Sequence, residues 1–236
     1  MIDFHSHILP NIDDGPTNID ESVAMAKALR EAGFKTIYCT PHLMKGCFEA
    51  DNQAVLSAVS TLQTRLSKEK IELEIFPGRE YYLDEFLDGY LNDPLPLGKT
   101  KYIMIEISNN ATAEYVKETC FRIKCGGFIP MVAHPERCML FAMPQKNTSS
   151  RILFFGAERK NADVKEKEPA LIEYLQEIGC AFQGNLGSFD GLYGPEVKQT
   201  ANHLKKNGVY THFGTDAHSL RSLTRLNLSS AGGGVP

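Results

Sequence analysis

The 236-residue sequence predicts an α/β fold in which seven βα units close a barrel around a mainly parallel sheet. Three observations point there. Short apolar runs alternate with helical patterns along the chain, the apolar runs are strand-sized, and the length suits one α/β barrel.

The first strand is expected over residues 1–5. The first helix follows, because Asn18-x-x-Glu21 can form a capping box, Val23, Ala26, Leu29 and Ala32 trace one helical face, and Gly33 supplies a stop. Further strands are expected at 36–39, 71–76, 102–107, 128–133, 181–183 and 209–213. Helices are expected at 53–69, 83–91, 113–124, 169–178 and 196–206, each between two strands. Residues 1–225 read as one domain. Residues 143–167, with Asn147-Thr148-Ser149-Ser150 and mixed charges, interrupt the rhythm and read as an irregular insertion. The Gly-rich end, 226–236, reads as a frayed tail.

A net charge of −4 and a pI near 6.0 give no general attraction to nucleic acid or an anionic membrane. No run is long enough to span a bilayer, and the start lacks a signal-peptide pattern, so a cytoplasmic location is expected. The six cysteines form no C-x-x-C pair and none begins the C-x5-R spacing of a cysteine-nucleophile phosphatase.

The chemistry-bearing residues recur at strand ends. His5 and His7 share one side of a strand, since side chains alternate with a period of two. Asp14 lies in the loop beyond, His42 follows the second strand, and Glu80 follows the third. Glu106 interrupts the run Tyr102-Ile103-Met104-Ile105-Glu106-Ile107, where an unpaired buried carboxylate would cost several kcal/mol. His134 ends the run from Ile129 to Ala133, and Asp216 and His218 follow the last strand. In a parallel barrel such ends converge on one mouth, so these nine nitrogen and oxygen donors imply two or three divalent ions. Taken singly, each has a plainer reading: a turn former, a helix cap or a hydrogen-bonded loop histidine. Asp13, His203 and His212 keep that plainer reading.

In their order, Asp3-x-His5-x-His7 first, Asp216-Ala217-His218 last and the His and Glu residues between them, these motifs resemble the polymerase and histidinol phosphatase (PHP) superfamily. Asp3-Phe4-His5-Ser6-His7-Ile8-Leu9-Pro10, Ile12-Asp13-Asp14-Gly15-Pro16, Ala133-His134-Pro135-Glu136-Arg137 and Gln183-Gly184-Asn185-Leu186-Gly187-Ser188 are similar to the metal-dependent protein-tyrosine phosphatases of bacterial capsule and exopolysaccharide clusters. The resemblance implies a distorted seven-stranded barrel with three ions. His5, His7, Glu80 and Asp216 would hold the first. Glu80, Glu106 and His134 would hold the second, and Asp14, His42 and His218 the third. Mn2+ is the expected metal, with Fe, Zn or Co also compatible.

It further implies hydrolysis by an ion-activated water without a protein nucleophile, with Arg137 on the phosphoryl oxygens. A second arginine is expected five residues after the last histidine, where this chain has Leu223; Arg221 or Arg225 could substitute. The implied substrate is the phosphotyrosine-bearing tail of a bacterial tyrosine autokinase in polysaccharide export. The alternatives are a small-molecule phosphatase, such as one for histidinol phosphate, or an inactive metal-binding regulatory module. The closing helix of the family is expected to be missing, which would bare apolar wall and favour a homo-oligomer.

Overall fold

The structure is a computed structural model, and it describes residues 1–142 and 170–226. The expected insertion at 143–167 and the expected tail from 227 onward lie outside the described residues.

The described chain runs β1 (Ile2–Ser6), α1 (Ile19–Glu31), β2 (Thr36–Cys39), β3 (His42–Leu43), α2 (Asn52–Lys68), β4 (Glu74–Pro77), β5 (Glu80–Leu83), α3 (Leu87–Tyr90), β6 (Tyr102–Ile107), α4 (Ala113–Cys125) and β7 (Ile129–Ala133). It continues through 3-10 turns at Pro135–Arg137 and Met139–Phe141, then α5 (Leu171–Glu177), β8 (Ala181–Asn185), α6 (Leu186–Asp190), α7 (Pro195–Lys206), β9 (His212–Gly214) and α8 (Leu220–Thr224).

All strand pairs are parallel and form two sheets, β1-β2-β4 and β3-β5-β6-β7-β8-β9. The sheet curls until its last edge meets its first. Ser6 bridges Ala217, the His7 amide donates to the Ala217 carbonyl at 3.0 Å, and the Asp216 amide donates to the His5 carbonyl at 2.7 Å. This seam is tight: a Cβ on Gly214 would lie 2.6 Å from His5 Cβ and 2.7 Å from the His5 nitrogen, so only glycine fits there. Buried Asp3 reinforces it, accepting from the Thr215 amide at 2.8 Å and hydroxyl at 2.7 Å.

The strand expectations need correction in their limits. There are nine strand segments among the described residues. β2 and β3 are separated at Thr40-Pro41, where proline has no amide to donate, and β4 and β5 at Gly78-Arg79. Pairing resumes in register, Cys39 with Pro77 and then His42 with Glu80. The helix expected at 83–91 is instead the end of β5 followed by the one-turn α3; Leu83 pairs with Ile107, and Asp84 Oδ1 accepts from the Phe86 amide to start a turn. The strand expected at 71–76 begins only at Glu74, after a turn in which the Leu73 amide donates to the Ile71 carbonyl. The last strand is His212–Gly214, not 209–213; its pairing with β8 begins at His212, opposite Gln183.

The helix starts follow local chemistry. Asn18 Oδ1 accepts from the Glu21 amide at 3.0 Å, while the Glu21 carboxylate turns back to the Thr17 amide at 2.8 Å, one residue earlier than a strict capping box. Asp51 and Thr112 cap α2 and α4 in the same way.

Alternation on β6 sorts the core. Ile103, Ile105 and Ile107 pack outward with Val116, Cys120 and Ile123 of α4, whereas Met104 joins Leu97, Met131, Ala133 and Ala181 in a separate inner cluster. A third cluster joins α1 and α2 to β2 and β4 through Val23, Leu29, Leu62, Leu66, Ile37 and Ile75. It includes Leu223 of α8, 3% exposed. The five-residue α8 thus covers this part of the wall.

Candidate metal centre

Seven of the nine expected ligands sit at or beyond the carboxyl end of a strand, and His42 and Glu80 open the short strands that follow β2 and β4 in register. His5 lies on β1 with His7 just beyond, His42 opens β3, Glu80 opens β5, Glu106 is next to last on β6, His134 follows β7, and Asp216 and His218 follow β9. Asp14 reaches in from the loop after β1.

The deepest set is His5, His7, Glu80 and Asp216, all buried. His5 Nε2 is 3.1 Å from His7 Nε2, 3.2 Å from Glu80 Oε2 and 3.3 Å from Asp216 Oδ1; His7 Nε2 is 3.3 Å and 3.4 Å from the same two oxygens. An ion with bonds of about 2.0–2.1 Å in a tetrahedron sets its ligands roughly 3.3 Å apart. A second set, His7, Asp14, His42 and His218, lies toward solvent, with Asp14 Oδ1 at 3.3 Å from His218 Nε2 and 3.8 Å from His42 Nε2. A third brings together His42, Glu80 and Glu106. His134 approaches this one from the other side, its Nε2 2.9 Å from Glu80 Oε1 and 3.8 Å from Glu106 Oε1.

The histidines are aimed by partners behind them. His5 Nδ1 meets Gln183 Oε1 at 2.8 Å, and the Gln183 amide group donates to the Gly184 carbonyl, which fixes the oxygen toward His5. His7 Nδ1 meets Asp13 Oδ2 at 2.6 Å, and His218 Nδ1 meets the Asp216 carbonyl at 3.0 Å. A ring that donates through Nδ1 turns a bare Nε2 lone pair inward, the form a metal needs.

Glu80 Oε2 is buried and accepts no hydrogen bond, although His5, His7 and His42 nitrogens lie 3.0 to 3.3 Å away. His42 Nδ1 is likewise unpartnered. Buried polar atoms in that condition are rare, and here they surround common points. Five imidazoles and four carboxylates, all nitrogen and oxygen donors, fit divalent ions.

The electrostatics agree. Burial opposes the charged form of His5, but the Glu80 and Asp216 carboxylates outweigh it and raise His5 to about 9. Burial favours protonated Glu80, yet the surrounding histidines hold it well below the usual carboxylate range. Glu106 is pushed up by burial and then by the charge of Glu80. Protons on the histidines and divalent cations would compete to neutralise one group of acids.

Two of these candidate ligands sit in the left-handed region, His134 at φ 28° and Asp216 at φ 51°, a conformation that costs non-glycine residues about 1–3 kcal/mol. Such strain collects at functional sites. Arg137, on the 3-10 turn after His134, donates from Nη1 to Asp216 Oδ2 at 2.6 Å and lies 4.7 Å from the Tyr193 ring centroid. It borders a cavity of about 380 Å³ with Asp14, His42, Glu80, Glu106, His134, Asp216 and His218. Arg221 does not border it; it is exposed on α8, as is Arg225 just beyond, and Leu223 points into the core. His203 and His212 stay outside: His203 contacts Asn207, and His212 packs on Phe4 and Tyr102.

Sequence reasoning missed the supporting residues. Asp13 shapes its turn by accepting from the Gly15 amide, as expected, but also accepts from the His42 amide and orients His7. Asn185 donates to Asp216 Oδ2 at 2.9 Å, and buried Glu136 accepts from the Asn185 amide and the Tyr210 hydroxyl. Arg79, fully buried, donates to the carbonyls of Ala50 and His42 and to Asn52 Oδ1. The only sequence signal was their place inside the motifs.

Residues 1–157 match the model of a family described as capsular polysaccharide synthesis, CpsB/CapC. The chain is 32% identical over 224 residues to the tyrosine-protein phosphatase YwqE of Bacillus subtilis, covering 94% of this chain and 79% of that one. It is 35% identical over 141 residues to the tyrosine-protein phosphatase CpsB of Streptococcus pneumoniae, covering 58% and 57%. A crystal structure from work on YwqE and CpsB, described as metal-dependent tyrosine phosphatases, superposes with a TM-score of 0.77 at 31% identity, covering 98% of this chain and 83% of that one. The histidinol phosphate phosphatase of Lactococcus lactis shares the fold, with a TM-score of 0.51 at 14% identity, covering 98% and 93%.

Proposed function

The chain belongs to the CpsB/CapC family of capsular polysaccharide synthesis, and we propose that it is a metal-dependent phosphatase acting on phosphotyrosine of a bacterial tyrosine kinase. The observation that carries this reading is Glu80 Oε2: fully buried, without a hydrogen bond, and faced by nitrogens of three histidines. We read residues 1–225 as one catalytic unit and the nine strand segments as seven staves, β2 with β3 and β4 with β5 each making one. In the cell, the reaction would regulate capsular or exopolysaccharide synthesis from the cytoplasm. No helix among the described residues is long and apolar enough to cross a membrane.

His5, His7, Glu80 and Asp216 would hold one ion. Glu80, Glu106, His134 and His42 surround a second position, and Asp14, His42 and His218 a third; Mn2+ is the expected metal. Bound there, divalent ions supply Lewis acidity toward phosphoryl oxygens and lower the pKa of water. The protein's own groups do the rest. Gln183, Asp13 and the Asp216 carbonyl hold three imidazoles in the metal-binding tautomer. Arg137 has five N–H donors and uses Nη1 on Asp216, so the rest of its fork can take phosphoryl oxygens and offset charge as the phenolate leaves.

The test is phosphate release from a phosphotyrosine peptide by metal-stripped protein, with Mn2+ restored or withheld and His134→Ala alongside. Turnover that requires both Mn2+ and His134 supports the reading. Faster turnover of histidinol phosphate would move the activity to small molecules, and metal binding without any turnover would make the chain a regulatory module.

A further inference from the structure

The cavity at the metal centre has an apolar wall that the chemistry so far leaves unused. Met44, Phe48 and Tyr193 border it together with Arg137 and the acids and histidines. None of the three belongs to the apolar clusters formed by the described residues, and all three line the cavity. Scattered exposed apolar side chains are ordinary; three lining one polar cavity are not.

Both sides of this wall are held in place. Met44 and Phe48 bridge each other through paired amide-to-carbonyl bonds of 2.9 Å across a turn that needs Gly46 at φ 80°. Glu49 closes the turn by accepting from the Gly46 amide and pairing with Lys45. Beneath it, Arg79 ties down the His42 and Ala50 carbonyls. The Phe48 ring lies 5.5 Å from His42 at 17°, close to parallel, so it stacks on one of the candidate ligands. Opposite, the Tyr193 hydroxyl accepts from Asn185 while its ring carries the Arg137 guanidinium. A preformed wall receives a ring without first paying for its own ordering.

We propose that Phe48, with Met44 and Tyr193, forms an aryl subsite that takes the phenyl ring of the substrate and selects aryl over alkyl phosphomonoesters; this rests on the phosphatase reading above. A phosphoryl group at Arg137 and the metal centre directs its ester substituent along this wall. A flat ring can stack there, whereas a seryl or glyceryl group meets apolar surface that offers it no hydrogen bond.

The experiment compares kcat/KM of the Mn2+-loaded protein for phosphotyrosine peptide and for phosphoserine peptide, in the wild type, Phe48→Ala, Phe48→Tyr and Tyr193→Leu. Phe48→Ala should lower the aryl-to-alkyl ratio roughly tenfold, mainly through KM for the aryl substrate, with Phe48→Tyr restoring it and Tyr193→Leu lowering it in part. A fall of both substrates by one factor, or no change in the ratio, overturns the subsite, because Phe48 would then only prop His42. Calorimetry with phenylphosphonate and methylphosphonate decides the matter without turnover. Tighter phenylphosphonate binding that Phe48→Ala removes upholds the subsite even if the phosphatase reading fails, and equal binding of the two overturns it.

Discussion

The wall between helices α1 and α2 and the sheet differs from the mouth above it in almost every physical respect. In the wall, Val23, Leu29, Leu62 and Leu66 are buried among other apolar groups, and each helix keeps its polar face to solvent. At the mouth, four carboxylates line one cavity, Glu80 Oε2 accepts no hydrogen bond, and His134 and Asp216 hold strained backbone. Stability is gathered in the wall and spent, in part, at the mouth. The difference teaches that a group's burial alone does not reveal its role; its unsatisfied chemistry does.

The sharpest way to break this division is Glu80→Gln, which keeps shape and removes charge. We expect kcat/KM to fall by at least about a thousandfold and the Mn2+-induced rise in Tm to shrink, because the shared carboxylate is lost. Retained activity and an unchanged Tm rise would show that the mouth is not organised around Glu80.

Next in size is Leu62→Ala in the wall. Leu62 is fully buried, and the cavity left behind should cost about 2–5 kcal/mol, read as a lower urea midpoint, while kcat of the folded fraction stays within about twofold. A large loss of kcat would mean that wall and mouth are mechanically coupled.

The smallest effect is a pH dependence that sharpens the comparison inside the mouth. Burial works against the Asp13 carboxylate, but its bonds from His7 and the His42 and Gly15 amides lower it to about 2, against 3.8 in the open chain. A depressed folded value means that its contribution is complete above about 4 and disappears as pH falls through 2. Asp13→Asn in chelator-treated protein should therefore flatten that part of the Tm–pH curve, a contribution of roughly 2 kcal/mol. An unchanged acid limb would assign the effect to other carboxylates.

Much of the centre was legible because strand ends mark it. His5, His7, Glu106, His134, Asp216 and His218 each stand beside a short apolar run, and their shared position survives errors in strand limits. β3 and β5 were not legible: two and four residues long, they carry no period of their own and exist because they extend β2 and β4 in register. Leu223 shows what position along the chain leaves open. By position it stood where a phosphate-binding arginine was expected, but an α8 side chain pointing into the cluster of Val23 and Ile37 cannot reach the mouth.

The α/β class, the cap at Asn18 and a set of nine candidate donors could be read from the chain alone, since these depend on local patterns and on residue chemistry. Folding adds which donor atoms lie together, that His42 neighbours Glu80 and Glu106 as well as Asp14, that Gln183 and Asp13 meet the Nδ1 atoms of His5 and His7, and that Arg137 rather than Arg221 borders the cavity. The physical reason is distance along the chain. His5 and Gln183 are 178 residues apart and Thr215 and Asp3 are 212 apart, so their geometry exists only once the barrel seam has closed.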